Sequence, residues 1–303
     1  MSHRGSVRRG RVTAGGRADS LEQRRPARAA GPRGRPWPPG RRRSRGAGEA
    51  PSDELRAAVQ RYYRATAPLY DLEPVERGER FWAAVAAEHH GRRVLELGAG
   101  TGRVTALLAA RAGRVVAVDL SFDMLERAKR RLRGFRNVQL VLGDMRDLAF
   151  RERFDLIVSA DADGHLLTDG DRARTFAGVA RQLLPGGRFV LDAFWLPEPE
   201  VAAAAEGRRV REHVSPLAGR PLRVRESWRC DPRSRRCLVR YEYRLPSRRP
   251  VVAEFEARYW SVDELRARCA EAGLTIEAVW GDFDRAPWDE RTSPRLIVQA
   301  RGG

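Results

Sequence analysis

The sequence predicts an α/β protein built on a seven-stranded, mostly parallel sheet with helices on both faces. Short apolar runs alternate with amphipathic helical stretches from residue 91 onward, which is the first observation behind this reading. The second is a turn of small residues, Gly98-Ala99-Gly100-Thr101-Gly102, placed directly after the first apolar run. The third is a change after Trp195 to alternating apolar and charged residues, which predicts a small antiparallel insertion after the fifth strand.

Residues 1–50 precede all of this and read as a disordered leader rich in Arg, Gly and Pro. Such a composition buries too little apolar surface to offset the entropy of ordering. This segment holds 14 Arg against 3 acidic residues, so it carries +11 of the total charge of +18. A plain tail, or an unused upstream start, is the preferred reading; nonspecific contact of the clustered arginines with a nucleic acid or another anionic surface is the alternative. Only Lys129 among the 58 basic residues is lysine, which points to a compositional bias rather than to a partner.

Residues 51–90 form an expected helical cap, with helices over 52–66 and 78–89 and an interruption at Pro68. The domain over 91–303 follows. Its strands are RRVLEL, RVVAVD, VQLVL, FDLIVSA and RFVLDAF, separated in part by the helices TGRVTALLAARA, DMLERAKRRLRG and RARTFAGVARQLL, with a Pro185-Gly186-Gly187 stop before the fifth strand. The insertion, at about 205–260, contains LRVRESWRC, CLVRYEYRL and VVAEFEARYW, and reads as a lid. A capping box, Ser261 with Glu264, opens a helix that ends at Gly273, and LTIEAVW and SPRLIVQA complete the sheet as an antiparallel pair.

No apolar core of signal-peptide length and no 18-residue apolar span occurs, so a soluble cytoplasmic protein without membrane contact is expected. Cys230, Cys237 and Cys269 are too few for a disulfide framework and read as core or hairpin thiols, although a chain reversal through DPRSRR would bring the first two together. No CxxC, HExxH or histidine cluster suggests a metal.

A glycine turn between strand and helix lets a ligand approach the backbone at the carboxyl end of the sheet. Its spacing is GxGxG, which disfavours a dinucleotide. Glu96 ends the first strand, Asp119 ends the second, where a carboxylate suits ribose hydroxyls, and Asp144-Met145 follow the third, placed to meet a purine.

In these pieces the chain resembles the class I S-adenosylmethionine-dependent methyltransferases, a Rossmann-like family, over about residues 62–301. The resemblance rests on Glu96 to Gly102, Asp119-Leu120-Ser121 with Met124-Leu125, Gly143-Asp144-Met145, FDLIVSA and Leu184-Pro185-Gly186-Gly187. It implies S-adenosylmethionine as cofactor, with Glu96, Gly98, Ala99, Gly100 and Gly102 at the methionine moiety and Asp119 and Leu120 at the ribose. Met124 then packs near the ribose or adenine, Asp144 binds the adenine amino group and the Met145 backbone its ring nitrogen. In YYRATAPLYDLE, Tyr62, Tyr63 and Tyr70 either close over cofactor and acceptor or pack cap on core; Tyr70 is the preferred cofactor contact.

The loop after the fourth strand, Ser159 to Leu167, faces the transferred methyl in similar enzymes. His165 is either a proton acceptor or a loop fastener; Asp161 and Asp163 either orient a cationic acceptor or stabilise the positive sulfonium, or one of them caps the helix beginning near Asp171. Arg223, Arg225, Trp228, Arg240, Tyr241, Tyr243 and Tyr259 are further acceptor candidates, or an ordinary strand face. Trp280-Gly281-Asp282-Phe283 resembles the ending of small-molecule N- or O-methyltransferases. A small-molecule acceptor is therefore expected; an RNA or protein methyltransferase, or a silent cofactor-binding protein, are the other readings.

Overall fold

The computed structural model describes residues 52–73, 78–217, 220–246 and 248–303. The leader expected over residues 1–50 lies outside them.

Helices α1 (Ser52–Tyr70) and α2 (Glu79–Glu88) come first. α1 runs through Pro68, where an interruption was expected; the proline sits in the last turn, and buried Ala67 and Leu69 anchor that turn to the core. Strand β1 (Arg93–Leu97) then leads into α3 (Arg103–Ala109), β2 (Arg114–Asp119), α4 (Phe122–Arg131) and β3 (Val138–Leu142). β4 (Phe154–Ala160), α5 (Asp169–Gln182) and β5 (Leu183–Ala193) follow, β5 absorbing the Pro185-Gly186-Gly187 turn. After α6 (Glu198–Ala205) come β6 (Val210–Leu217), β7 (Arg220–Asp231), β8 (Arg236–Arg244) and β9 (Val251–Arg258), and the chain closes with α7 (Val262–Glu271), β10 (Leu274–Trp280) and β11 (Leu296–Gly302).

The main sheet has seven strands in the order β10-β11-β5-β4-β1-β2-β3. All pairs are parallel except β10 with β11 and β11 with β5. Strand residues alternate between two apolar layers. Leu95, Leu97, Val116, Val118 and Ile157 pack with Phe176 and Val179 of α5 and Leu265 of α7, whereas Val94, Val115, Ala117 and Val158 pack with Trp82 and Val85 of α2 and Leu108 of α3. Burial on both faces is why these strands read as continuous apolar runs; each such Leu or Phe contributes about 1.5–3 kcal/mol by leaving water. Chain order reverses between β1 and β4, so the crevice at their carboxyl ends is where a ligand sits in such sheets.

The antiparallel segment forms a second, four-stranded sheet, β6-β7-β8-β9. Cys230 and Cys237 face each other across β7 and β8 and are joined by a disulfide, so they are not the free thiols expected. Ser261 caps α7 by accepting the Glu264 amide, but the Glu264 carboxylate does not complete the capping box. It binds Arg172 at 2.8 Å, Arg235 at 2.7 Å and Arg258 at 2.9 Å instead. Arg172 is wholly buried and also donates to the carbonyls of Leu166 and Arg258, tying the loop after β4 to β9 and α7. Among the described residues no helix is long and apolar enough to cross a membrane.

Candidate active site

Two adjoining cavities open at the carboxyl ends of β1, β2 and β4 and share Tyr63, Tyr70, Gly98, Gly100, Asp161 and His165. The smaller, about 80 Å³, is lined by Asp119, Leu120, Met124, Asp144 and Met145 and covered by Leu55 and Val59 of α1. The larger, about 200 Å³, extends from Glu96, Ala99 and Gly100 to Trp228, Tyr241 and Phe255 of the four-stranded sheet.

The glycine turn is held against β2 by the amides of Gly98 and Ala99, which donate to the Val118 carbonyl at 2.8 and 2.9 Å. Gly98 has φ of 73°, and a Cβ there would stand 2.2 Å from that of Ala162, so only glycine lets the turn pass beneath the loop after β4. Gly102, expected at the cofactor, stands apart from both cavities. It begins α3 in the left-handed region, and a Cβ there would meet Ala128 and Leu132 at 3.0–3.2 Å, so its smallness lets α3 approach α4.

Asp119 accepts from the Gly100 amide at 2.7 Å through one oxygen and from the Ser121 amide at 2.8 Å through the other. One lone pair on each oxygen remains for a vicinal diol, so the carboxylate fits a ribose. Burial pushes its pKa up to about 6 against those two bonds. Glu96 points into the α3 side of the sheet, where Thr105 Oγ1 donates to it at 2.5 Å. Burial, with the Asp119 charge adding to it and the Thr105 bond opposing, pushes its pKa up to about 8.

His165 lines both cavities, and its Nε2 is hydrogen-bonded to Tyr63 Oη at 2.9 Å. Burial pushes its pKa down to about 4 against a backbone contact with Glu256, so the ring is neutral near pH 7. Asp161, with φ of 53°, turns its loop into both cavities. Asp163, expected to orient a cationic acceptor or to cap the next helix, lines neither cavity. Its carboxylate is buried, accepting from the Trp260 indole N–H and from the Phe194 amide at 3.0 Å, and it fastens the loop from behind.

Of the strand candidates, Trp228 and Tyr241 reach the larger cavity. Arg223, Arg225 and Arg240 lie exposed, Tyr243 donates to Glu73 at 2.5 Å, and Tyr259 packs in the cluster around Cys237. Phe283 and Trp280 pack on Phe81 of α2, outside the cavities. Sequence reasoning missed Glu73, Asp192, Phe194, Phe255 and Arg295, which also line the larger cavity. Asp192 stands one residue before the end of β5, much as Asp119 ends β2, and that near-terminal position was the available signal. Burial raises its pKa to about 7, against the attraction of Arg295 at 3.1 Å.

Residues 94–187 match the family described as "Methyltransferase domain". The chain is 32% identical over 225 residues to the cypemycin N-terminal methyltransferase of a Streptomyces species, covering 73% of this chain and 87% of that one. It is 30% identical over 247 residues to the dTDP-4-amino-2,3,4,6-tetradeoxy-D-glucose N,N-dimethyltransferase of Saccharopolyspora spinosa, covering 76% and 93%. The fold is also that of the CcbJ methyltransferase from Streptomyces caelestis, with a TM-score of 0.67 at 24% identity over 78% of this chain and 96% of that one.

Proposed function

The chain belongs to the class I S-adenosylmethionine-dependent methyltransferases that act on N or O atoms of small molecules, and on that premise we propose that its acceptor is an amine. The observation that carries this reading is the lining of the larger cavity. Glu73, Asp161 and Asp192 stand among Tyr62, Trp228, Tyr241 and Phe255, a combination of carboxylates and aromatic faces that suits a cationic nitrogen. The names of both relatives, one for a peptide N-terminus and one for an amino sugar, support the same chemistry.

The cofactor residues divide the work. Asp119 holds the ribose diol, Met124 and Met145 bracket the base, and Glu96 faces the methionine ammonium beyond the Gly98–Gly100 turn. Bound there, S-adenosylmethionine supplies an already activated methyl on sulfonium sulfur. The protein's task is to hold the acceptor lone pair in line with the methyl–sulfur bond. The four-stranded sheet acts as the lid, its Trp228, Tyr241 and Phe255 fixing the body of the acceptor. Tyr63, bonded to His165, presents its hydroxyl at the junction of the cavities, where it can accept an N–H of the acceptor and orient the lone pair. As positive charge passes from sulfur to nitrogen, Asp161 and Asp192 stabilise it from the β4 and β5 ends.

Transfer of labelled methyl to matched acceptors tests the reading. Amines and their hydroxyl counterparts on the same body, including an amino sugar and a peptide with a free or acetylated N-terminus, are compared. Label is expected on the amines; transfer to the hydroxyl members alone would overturn the proposal.

A further inference from the structure

Asp119 is the last residue of β2 and Asp144 lies two residues beyond the end of β3, and their oxygens are used differently. Asp119 receives two donors and keeps capacity for a ligand. Asp144 receives four: the Arg146 amide at 2.9 Å, Arg146 Nε at 2.9 Å, Arg146 Nη2 at 2.7 Å and Arg56 Nε at 2.6 Å. A carboxylate offers about four lone-pair sites, so none is left for an amino group while Arg56 is in place. Arg146 is buried and braced by Asp171 at 3.3 Å, which makes it part of the pocket wall. Arg56 reaches Asp144 from α1, 88 positions away, and is the donor of the set that comes from outside the Asp144 loop.

α1 carries two adjacent ridges with four-residue spacing. Leu55, Val59 and Tyr63 line the smaller cavity. Arg56, Gln60 and Arg64 reach the loops around it: Arg56 binds Asp144 and Asp147, Gln60 Nε2 donates to the Leu120 carbonyl at 3.4 Å, and Arg64 stands 3.9 Å from Asp123. The first of these contacts has the best geometry and the most buried partner, with Asp144 at 10% exposure.

We propose that Arg56 is a specificity-determining residue for the cofactor: by closing the last acceptor site of Asp144 it clasps α1 over the purine and leaves the 6-amino group unread. The purine is then selected by the apolar walls and by the Met145 backbone, and Asp144 serves the clasp instead of the base. This departs from the role that the family resemblance implies for Asp144. The inference rests on the purine lying beside Asp144 and Met145.

The test is calorimetric titration of the full chain with S-adenosylhomocysteine and with its 6-deamino analogue, which lacks the amino group but keeps the ring nitrogen acceptor. The wild type is expected to bind the two within about threefold, since the missing amino group has no partner to lose. Arg56→Ala should bind both more weakly and release them faster, and should favour the amino compound by about tenfold because Asp144 is freed to accept from it. Arg56→Lys, which keeps a donor to Asp144, should restore the wild-type ratio. A wild-type preference of tenfold or more for the amino compound, or an Arg56→Ala ratio unchanged from wild type, would overturn the proposal. Failure of the wild type to bind either compound would overturn the placement of the purine, and the proposal with it.

Discussion

Cofactor binding at pH 7 is expected to expel a proton from Glu96. This carboxyl is 2% exposed, and burial has pushed its pKa up to about 8. A group with that pKa is about nine-tenths protonated at pH 7. Seating the methionine ammonium beside it reverses the balance, because an opposite charge within a few ångströms favours ionisation. About 0.9 proton should therefore leave per cofactor bound at pH 7, falling to about 0.1 at pH 9, where the free protein is already ionised. Calorimetric titration in two buffers of different ionisation enthalpy measures this number directly. Glu96→Gln should abolish the release while weakening binding by about 10–100-fold, the value of a charge-assisted hydrogen bond. A binding enthalpy independent of buffer at pH 7 would refute the reasoning. The sign also bears on stability. Glu96 binds more protons folded than unfolded between its ordinary value and about pH 8, so the ligand-free protein should lose stability as pH rises through that window. Asp192, raised to about 7, adds to the same trend.

Asp119→Ala should weaken S-adenosylhomocysteine binding by about 10–100-fold through loss of the charged acceptor for the ribose, as read by calorimetry, and unchanged affinity would remove Asp119 from the site. His165→Ala should lower kcat at saturating cofactor by about tenfold with little change in cofactor affinity, because the neutral ring positions Tyr63. A fall of about 10²–10⁴-fold with loss of a limb in the pH–rate profile would mark His165 as a general base instead.

Local pattern made much of the site legible. Gly98, Glu96, Asp119 and Met145 belong to short segments whose strand–turn–helix grammar places them at the sheet's carboxyl edge whatever surrounds them. Asp161 and Asp163 show where that grammar stops. Two residues apart on one loop, they look alike in sequence, but one turns into the cavities and the other is captured by Trp260 from the far end of the second sheet. Gly102 belongs to the same motif as Gly98 and answers to helix packing, because its neighbours Ala128 and Leu132 arrive from α4. Phe255 and Arg295 were hidden for the same reason: each is brought to the larger cavity by a different crossing of the chain.

The sequence by itself determined the order of strands and helices in the main sheet, the glycine turn at its carboxyl edge and the acid that ends β2, since apolar period, glycine and a strand-end acid act over a few residues. Tertiary structure alone decided which polar groups keep free hydrogen-bonding capacity. Asp119 keeps it because its donors are two local amides, whereas Asp144 loses it to an arginine 88 positions away in α1. A carboxylate's reach to a ligand depends on who else occupies its lone pairs, and that competition is settled only when distant segments pack together.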